Sequence, residues 1–500
     1  MFKTIVETCS GKVKGERVGD VSVWKGIPYA KPPVGPLRFC PPQEPDTWKG
    51  VRETVQFGPF ALQPTVWKGI ASGSQSEDCL YLNIWSPDAD DKLRPVMVWL
   101  HGGAYSSGSG SFDMYDGTSF AEHGDVVVVT LNYRLGVFGF LYLAEVGGEK
   151  YATSGNCGLL DQIAALKWVK QNIQAFGGDP HRVTLFGESA GAVSVGILLA
   201  MPEAKGLFCQ AIMESASNLV ISADSAAQTA KKVMDSLNLQ THEYEKLIDL
   251  PAEELLKVSL NFPPMTFCPV LDGLLIPVPP EEAIRKGAAK DIPVICGSNK
   301  DEYRLFAARI PSYRRWDEAE IAGRLERALG KVWPVLAANF ATVPMDKMLY
   351  NRIMSYYSFV YPTLKYSEAL AEQGAVWVYY FGYENPRLGA CHAFELPFVW
   401  HRVNPDNTNL FGVDSPEAVK LAGQMHQAWI AFAHTGNPNT PELPYWPIYN
   451  PESRPVMVFK GESEVVNDPH VDREIWDKVS SQKDYQPMQW SCDYKVDKYS

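Results

Sequence analysis

Short, continuous apolar runs recur along this chain between loops rich in glycine and proline. "PVMVWLHGG" from Pro95 and "DVVVVTLNYRLG" from Asp125 are apolar at nearly every position, with none of the alternation of a half-exposed strand. Such runs predict strands buried on both faces, as in a parallel sheet covered by helices. "RVTLFGESAG", "FCQAIMES", "IPVICGSNKDE" and "AVWVYYFGY" repeat the pattern further along. Between them, "DQIAALKWVKQNIQAFG" from Asp161 sets Ile163, Leu166, Val169, Ile173 and Phe176 near helical spacing, and Gly177 supplies a stop. Strands interleaved with helices in this way predict an α/β chain built on a mostly parallel sheet with helices on both faces.

Two stretches break the rhythm. From about 222 to 260 and from about 312 to 373 the pattern turns to long, charged amphipathic segments such as "WDEAEIAGRLERALGKVW". These predict helical insertions that roof or flank the C-terminal edge of the sheet. No internal repeat, low-complexity tract or linker divides residues 1–500, so one domain with helical excursions is expected.

Bulk properties narrow the partners. A composition of 46% hydrophobic and 21% charged residues is that of a globular protein with a large core. The net charge of −12 argues against nucleic acid and anionic membrane surfaces. No run approaches the ~18 apolar residues of a membrane span, and "MFKTIVETCSGKVKGERVGD" lacks the apolar core of a secretory signal. A cytoplasmic monomer is therefore expected. The nine cysteines are scattered, with no Cys-x-x-Cys pair, and predict reduced thiols buried as small hydrophobes, not a disulfide frame or a zinc site.

The chemistry is carried by Gly187-Glu188-Ser189-Ala190-Gly191. Gly-x-Ser-x-Gly arises by chance in roughly one chain in six of this length, so its setting decides. Here a buried-strand pattern runs into it and an apolar helical pattern, "AVSVGILLAMP", leaves it. That is the arrangement of a nucleophile elbow, where a sharp turn lifts the serine hydroxyl above the sheet and flanking glycines let strand and helix pack closely.

A serine hydroxyl needs a base, and the base an orienting acid. In the α/β-hydrolase layout these follow in the order Ser, acid, His. Six histidines lie after Ser189: His242, His392, His401, His426, His434 and His470. His392 stands first, because it follows the strand pattern "AVWVYYFGYE", and loops beyond strand C-termini carry the catalytic groups of parallel sheets. His470 falls in a polar tail. The strand pattern "IPVIC" is followed at once by Asp301 and Glu302, and spacing leaves both as candidates for the acid. An oxyanion hole needs backbone N–H groups from the residue after the nucleophile, Ala190, and from a glycine-rich loop after an earlier strand, for which "VWLHGGAYSSGSGS" is suited.

Together the elbow, the "HGGA" loop and "SEDCLYLNIW" (Ser76 to Trp85) resemble the type-B carboxylesterase family, which includes bacterial para-nitrobenzyl esterases and animal cholinesterases. The resemblance continues through "GIPYAKPPVGPLRF", "NYRLGVFGFL", "GNCGLLDQIAALKWVKQNIQAFGGDP" and "GNPN", and so spans nearly the whole chain. It implies an α/β-hydrolase fold and a serine carboxylesterase acting on small to medium acyl esters through an acyl-enzyme on Ser189, with no cofactor or metal. It also implies residue roles. The second position of the "DE" pair favours Glu302 over Asp301, and the histidine of "HAFELPF" is His392. The oxyanion donors correspond to Gly103 and Ala104, joined by Ala190, with Gly102 shaping the loop. Ser215 of "MESAS" matches a position that hydrogen-bonds near the triad. Glu188 matches the acidic residue that helps cholinesterases hold a cation, and is also the usual filler of that position.

Departures from the family pattern accompany the matches. Cys79 has Ala61 where relatives often carry a partner thiol, in "FGPFALQ", which implies an unpaired cysteine. Tyr303 follows Glu302 where glycine is usual, which puts the loop shape in question. Trp99 and Trp168 lie on buried patterns, whereas Trp67 falls in a loop that would line an entrance. Two other functions fit the same residues less well: a lipase, amidase or carbamate hydrolase with the same triad, and a non-catalytic adhesion protein, whose kind has usually lost the serine.

Overall fold

Two apolar cores, one on each face of a single large sheet, account for the continuous hydrophobic runs. The structure, a computed structural model, describes residues 3–64, 72–403 and 412–481. Its main sheet is built from β1 (Glu16–Val18), β2 (Val21–Pro28), β3 (Tyr81–Ser86), β4 (Arg94–Leu100), β5 (Val127–Leu131), β6 (Gly178–Glu188), β7 (Gln210–Glu214), β8 (Val294–Asn299), β9 (Val376–Phe381), β10 (Pro455–Phe459) and β11 (Glu464–Asn467). Their spatial order is β11-β10-β9-β8-β7-β6-β4-β5-β3-β2-β1. From β10 to β5 every neighbouring pair is parallel, and antiparallel strands close the two edges. Along β4, Val96, Val98 and Leu100 enter one core while Met97 and Trp99 enter the other. On β5, Val127, Val129 and Leu131 share the first core and Val128 the second.

The helices that matter for the site are α1 (Thr118–Gly124), α2 (Cys157–Asn172), α3 (Ala190–Ala200), α4 (Ala223–Ser236), α5 (Ala252–Ser259), α6 (Glu318–Leu329), α7 (Lys347–Ser355), α8 (Tyr361–Ala371) and α9 (Pro416–Thr435). Helix α2 ends through a short 3-10 turn at Gly177, whose φ of 85° needs a residue without Cβ. The first predicted excursion contains α4 and α5, which pack Val233, Met234 and Leu255 onto the first core. The second contains α6 to α8 and holds a core of its own, including Trp316, Leu325, Tyr350 and Ile353, closed by Trp476 from near the end of the described chain. Between α7 and α8, Tyr356–Val360 form a π-helical turn, a local widening often found beside functional groups.

Trp99 and Trp168 are buried as expected, and Trp67 lies outside the described residues. All eight cysteines among the described residues are free, Cys79 included. Burial holds for six of them; Cys9, on a turn between two short strands, is exposed, and Cys209, at the bend that leads into β7, is half-buried. His470 does not sit in a polar tail: it is buried against the ring of Tyr380, 4.9 Å between centroids. Tyr380 comes from β9, remote in the chain, so a local reading of that segment could not show this burial. No helix among the described residues is long and apolar enough to cross a membrane.

Candidate active site

Strand β6 ends at Glu188 and helix α3 begins at Ala190, leaving Ser189 alone on the turn between them. Its backbone takes φ 55° and ψ −123°, a region that costs a non-glycine residue about 1–3 kcal/mol. Two bonds hold it there. The Ser189 N–H donates to the carbonyl of Glu214 on β7 at 2.9 Å, and its own carbonyl accepts from Val193 N, 2.9 Å, in the first turn of α3. The flanking glycines have a direct steric cause. A Cβ on Gly187 would meet the Gly191 carbonyl carbon and the Leu100 oxygen at 2.7 Å, and one on Gly191 would run into that same Leu100 oxygen.

Leu100 ends β4, the strand beside β6, so the loop after it lies against the elbow. A Cβ on Gly102 would sit 2.6 Å from Glu188 Oε2 and 3.0 Å from the Ser189 Cβ. Gly103 turns with φ 114°, and Ala104 and Tyr105 follow at 56° and 55°. Among the described residues, the backbone N–H groups of Gly103, Ala104 and Ala190 donate to no acceptor. That leaves a set of open donors around the serine. The preceding His101 is a support for the loop. Its ring stacks on Tyr133 at 4.4 Å, its Nδ1–H donates to the Gly102 carbonyl, and burial lowers its pKa to about 4. The Tyr133 hydroxyl donates to the His101 carbonyl at 2.8 Å. Gln63 ties the far end, accepting from Gly108 N and donating to Gly108 O.

The structure brings the candidate base and the candidate acid together. His392 Nδ1 and Glu302 Oε2 are 2.6 Å apart, both buried. The other oxygen of Glu302 accepts from Ser215 Oγ at 2.6 Å and from Asn299 N at 2.7 Å, so the carboxylate is held at both ends. Asp301, the rival acid, is turned away: it accepts from Ala390 N at 3.1 Å and pairs with Arg304. The ring of Tyr303 enters the core of the second excursion beside Tyr350, and its N–H donates to Ser355 Oγ at 2.9 Å.

On its inner side the imidazole faces a second carboxyl group. His392 Nε2 is 3.0 Å from Glu188 Oε1, but the two are not aligned for a hydrogen bond, and neither atom has a hydrogen-bond partner among the described residues. Ser189 and His392 share no hydrogen bond either, as is common before substrate tightens a site. The aromatic rings of Phe359, from the π-helical turn, and Phe306 pack on the imidazole with centroids at 4.3 and 5.1 Å.

Glu188 and Glu302 belong to a wider group of buried carboxyls that includes Glu214 and Glu395. Burial, then the charges of Glu302 and Glu214, pushes Glu188 well above the usual carboxylate range. Burial pushes Glu214 to about 8, against one hydrogen bond from Trp429 Nε1. Glu395, bonded to Asn299 Nδ2, is likewise raised by burial and by its acidic neighbours. Several like charges cannot readily ionise together in so dry a volume, which is why Glu188, Glu214 and Glu395 are shifted toward their protonated forms. Neither Glu214 nor Glu395 was singled out from the sequence. Glu214 directly precedes Ser215, and Glu395 stands three positions after His392 within "HAFELPF", but an acidic residue in a motif looks the same whether buried or solvated.

The remaining histidines lie elsewhere. His242 is in a 3-10 turn, His434 binds the Gly124 carbonyl from α9, and His401 and His426 meet His123 in a separate cluster. Residues 3–475 match the model of the carboxylesterase family. The para-nitrobenzyl esterase of Bacillus subtilis is 41% identical over 487 residues, covering 95% of this chain and 98% of that protein. The fumonisin B1 esterase of Sphingopyxis macrogoltabida is 38% identical over 476 residues, covering 91% and 86%. Among solved structures, a carboxylesterase of Geobacillus stearothermophilus superposes with a TM-score of 0.88 at 47% identity, covering 95% of this chain and all of that one.

Proposed function

This chain belongs to the carboxylesterase family and is a carboxylic ester hydrolase of α/β-hydrolase fold, and we propose that Ser189, His392 and Glu302 carry its reaction. The observation behind the assignment is the imidazole held by Glu302 at Nδ1 while Nε2, without a hydrogen-bond partner among the described residues, lies 3.0 Å from Oε1 of Glu188, the residue before Ser189.

In this reading His392 Nε2 takes the Ser189 proton as Oγ attacks the ester carbonyl. The carbonyl oxygen becomes an oxyanion and accepts hydrogen bonds from the N–H groups of Gly103, Ala104 and Ala190, each worth roughly 3 kcal/mol in the transition state. The imidazolium then gives its proton to the departing alcohol, leaving the acyl group on Ser189. Water repeats the sequence in reverse and frees the acid. Glu302 fixes the tautomer with Nδ1 protonated and stabilises the imidazolium. Ser215 acts only through Glu302. The nucleophile, acid and base come from segments between residues 189 and 392, so the chain works as one catalytic unit.

The substrates proposed are small to medium acyl esters; the Bacillus and Sphingopyxis relatives are both named as esterases. The test is Ser189→Ala with para-nitrophenyl acetate: the burst of para-nitrophenol must vanish while the circular dichroism spectrum is kept. A burst that survives the substitution overturns the assignment.

A further inference from the structure

Away from the site, three imidazoles converge on one hydroxyl. His123 at the exposed end of α1, His401 after the short helix Leu396–Val399, and His426 within α9 each offer a nitrogen, and these nitrogens lie within 4.8 Å of one another. Ser119 Oγ occupies the point between them, 3.2 Å from His123 Nδ1, 3.0 Å from His401 Nδ1 and 3.2 Å from His426 Nε2. None of these residues takes part in the ester chemistry.

We propose that His123, His401 and His426 form a binding site for one divalent transition cation, zinc being the best match, with the Ser119 hydroxyl or a water as fourth ligand. Three neutral imidazoles and one oxygen are a donor set that suits zinc. His426 is oriented as a ligand should be. It is buried, and its Nδ1–H donates to the Val399 carbonyl at 2.8 Å, which directs the Nε2 lone pair into the cluster. Such an outer bond from a carbonyl is the usual means of fixing a metal-binding histidine. His401 is placed by a backbone φ of 52°, unusual for a residue with a Cβ, and its ring stacks on His426 at 5.1 Å. Burial also disfavours the charged form of both rings.

Ligand atoms around a tetrahedral zinc stand about 3.3 Å apart, given bonds of about 2.0–2.1 Å, so the nitrogens, now within 4.8 Å of one another, must draw together around the ion. His123, exposed and on the last turn of α1, has the freedom to do so, giving up its bond to the Ser119 carbonyl. A bound cation would clip α1, the His401 loop and α9 together at the surface, a structural role.

The test uses the full chain, stripped with a chelator and titrated with Co2+, whose visible absorption reports its ligands. The expected result is one Co2+ per chain with nitrogen and oxygen ligands, displaced by Zn2+. His123→Ala and His401→Gln should each weaken binding by more than the roughly 10- to 100-fold that removal of an outer-shell partner costs. Ser119→Ala should retain it, because a water can replace the hydroxyl, and esterase activity should be unchanged in all three. Absence of Co2+ binding by the wild type, equal affinity in the histidine variants, or thiolate charge-transfer bands overturns the proposal.

Discussion

His392 Nε2 lies 3.0 Å from Glu188 Oε1 while Nδ1 of the same ring lies 2.6 Å from Glu302 Oε2, so the imidazole stands between two carboxyl groups of unequal character. Glu302 is anchored by Ser215 and Asn299, whereas Glu188 Oε1 has no hydrogen-bond donor among the described residues and is pushed toward the protonated form by burial and acidic neighbours. One carboxyl orients the ring; the other leaves it free only while neutral.

Glu188→Gln should therefore keep most activity at neutral pH, because glutamine resembles the protonated acid in shape. In the wild type, ionisation of Glu188 at higher pH would hold the imidazole as a cation and stop it acting as a base. The alkaline decline in kcat should weaken or disappear in the variant. Superimposable pH–rate profiles would rule this out.

Glu302→Gln should cost roughly 10⁴-fold in kcat, the scale set by losing the correct tautomer in a serine triad. KM should change little, since the carboxylate is buried behind the ring and away from substrate. Steady-state kinetics on para-nitrophenyl acetate checks both numbers.

Glu214 carries a folded-state pKa of about 8, above the usual carboxylate value. In the unfolded chain it releases its proton near pH 4.5, so the folded state binds more protons between there and about pH 8. Stability from this group is present in acid and falls as pH rises, by about 1.4 kcal/mol per pH unit at most. Glu214→Gln should flatten that slope. The comparison belongs between pH 6.5 and 8, because His101, His426 and His470, lowered to about 4 by burial, act with the opposite sign below that window. Urea titrations of both proteins at a series of pH values measure the difference.

Gly191→Ala places a methyl group in the Leu100 carbonyl oxygen. The backbone at the start of α3 or at the end of β4 must move to admit it, and overpacking of this kind costs about 1–3 kcal/mol. Thermal unfolding should shift down and esterase activity fall with it, since the same displacement moves the Gly102–Ala104 loop. An unchanged melting temperature would mean that the elbow has room it does not show.

Much of this was legible from the chain alone. The sheet strands appear as unbroken apolar runs because they are buried on both faces, and the elbow appears as glycines where strand, helix and loop touch. The choice between Asp301 and Glu302 was not available from spacing, because both follow β8 within a few Å of backbone. It is decided by direction: Asp301 turns to Ala390 and Arg304, and Glu302 turns inward to Ser215, Asn299 and His392. The burial of His470, the stacking of Phe359 on the base and the meeting of His123, His401 and His426 were equally invisible, since each joins segments remote in the chain.

By itself the sequence determined the alternation of buried strands and helices, the strained turn at Ser189 and the supply of an acid and a base beyond it. These follow from local sterics and from periodicity, which act over a few residues. Only the tertiary structure decided which carboxyl faces the imidazole, how many further carboxyls share its dry surroundings, and which of them keep their protons. Those outcomes depend on solvent exclusion and on distances between side chains far apart in sequence, quantities that exist only once the chain has closed around them.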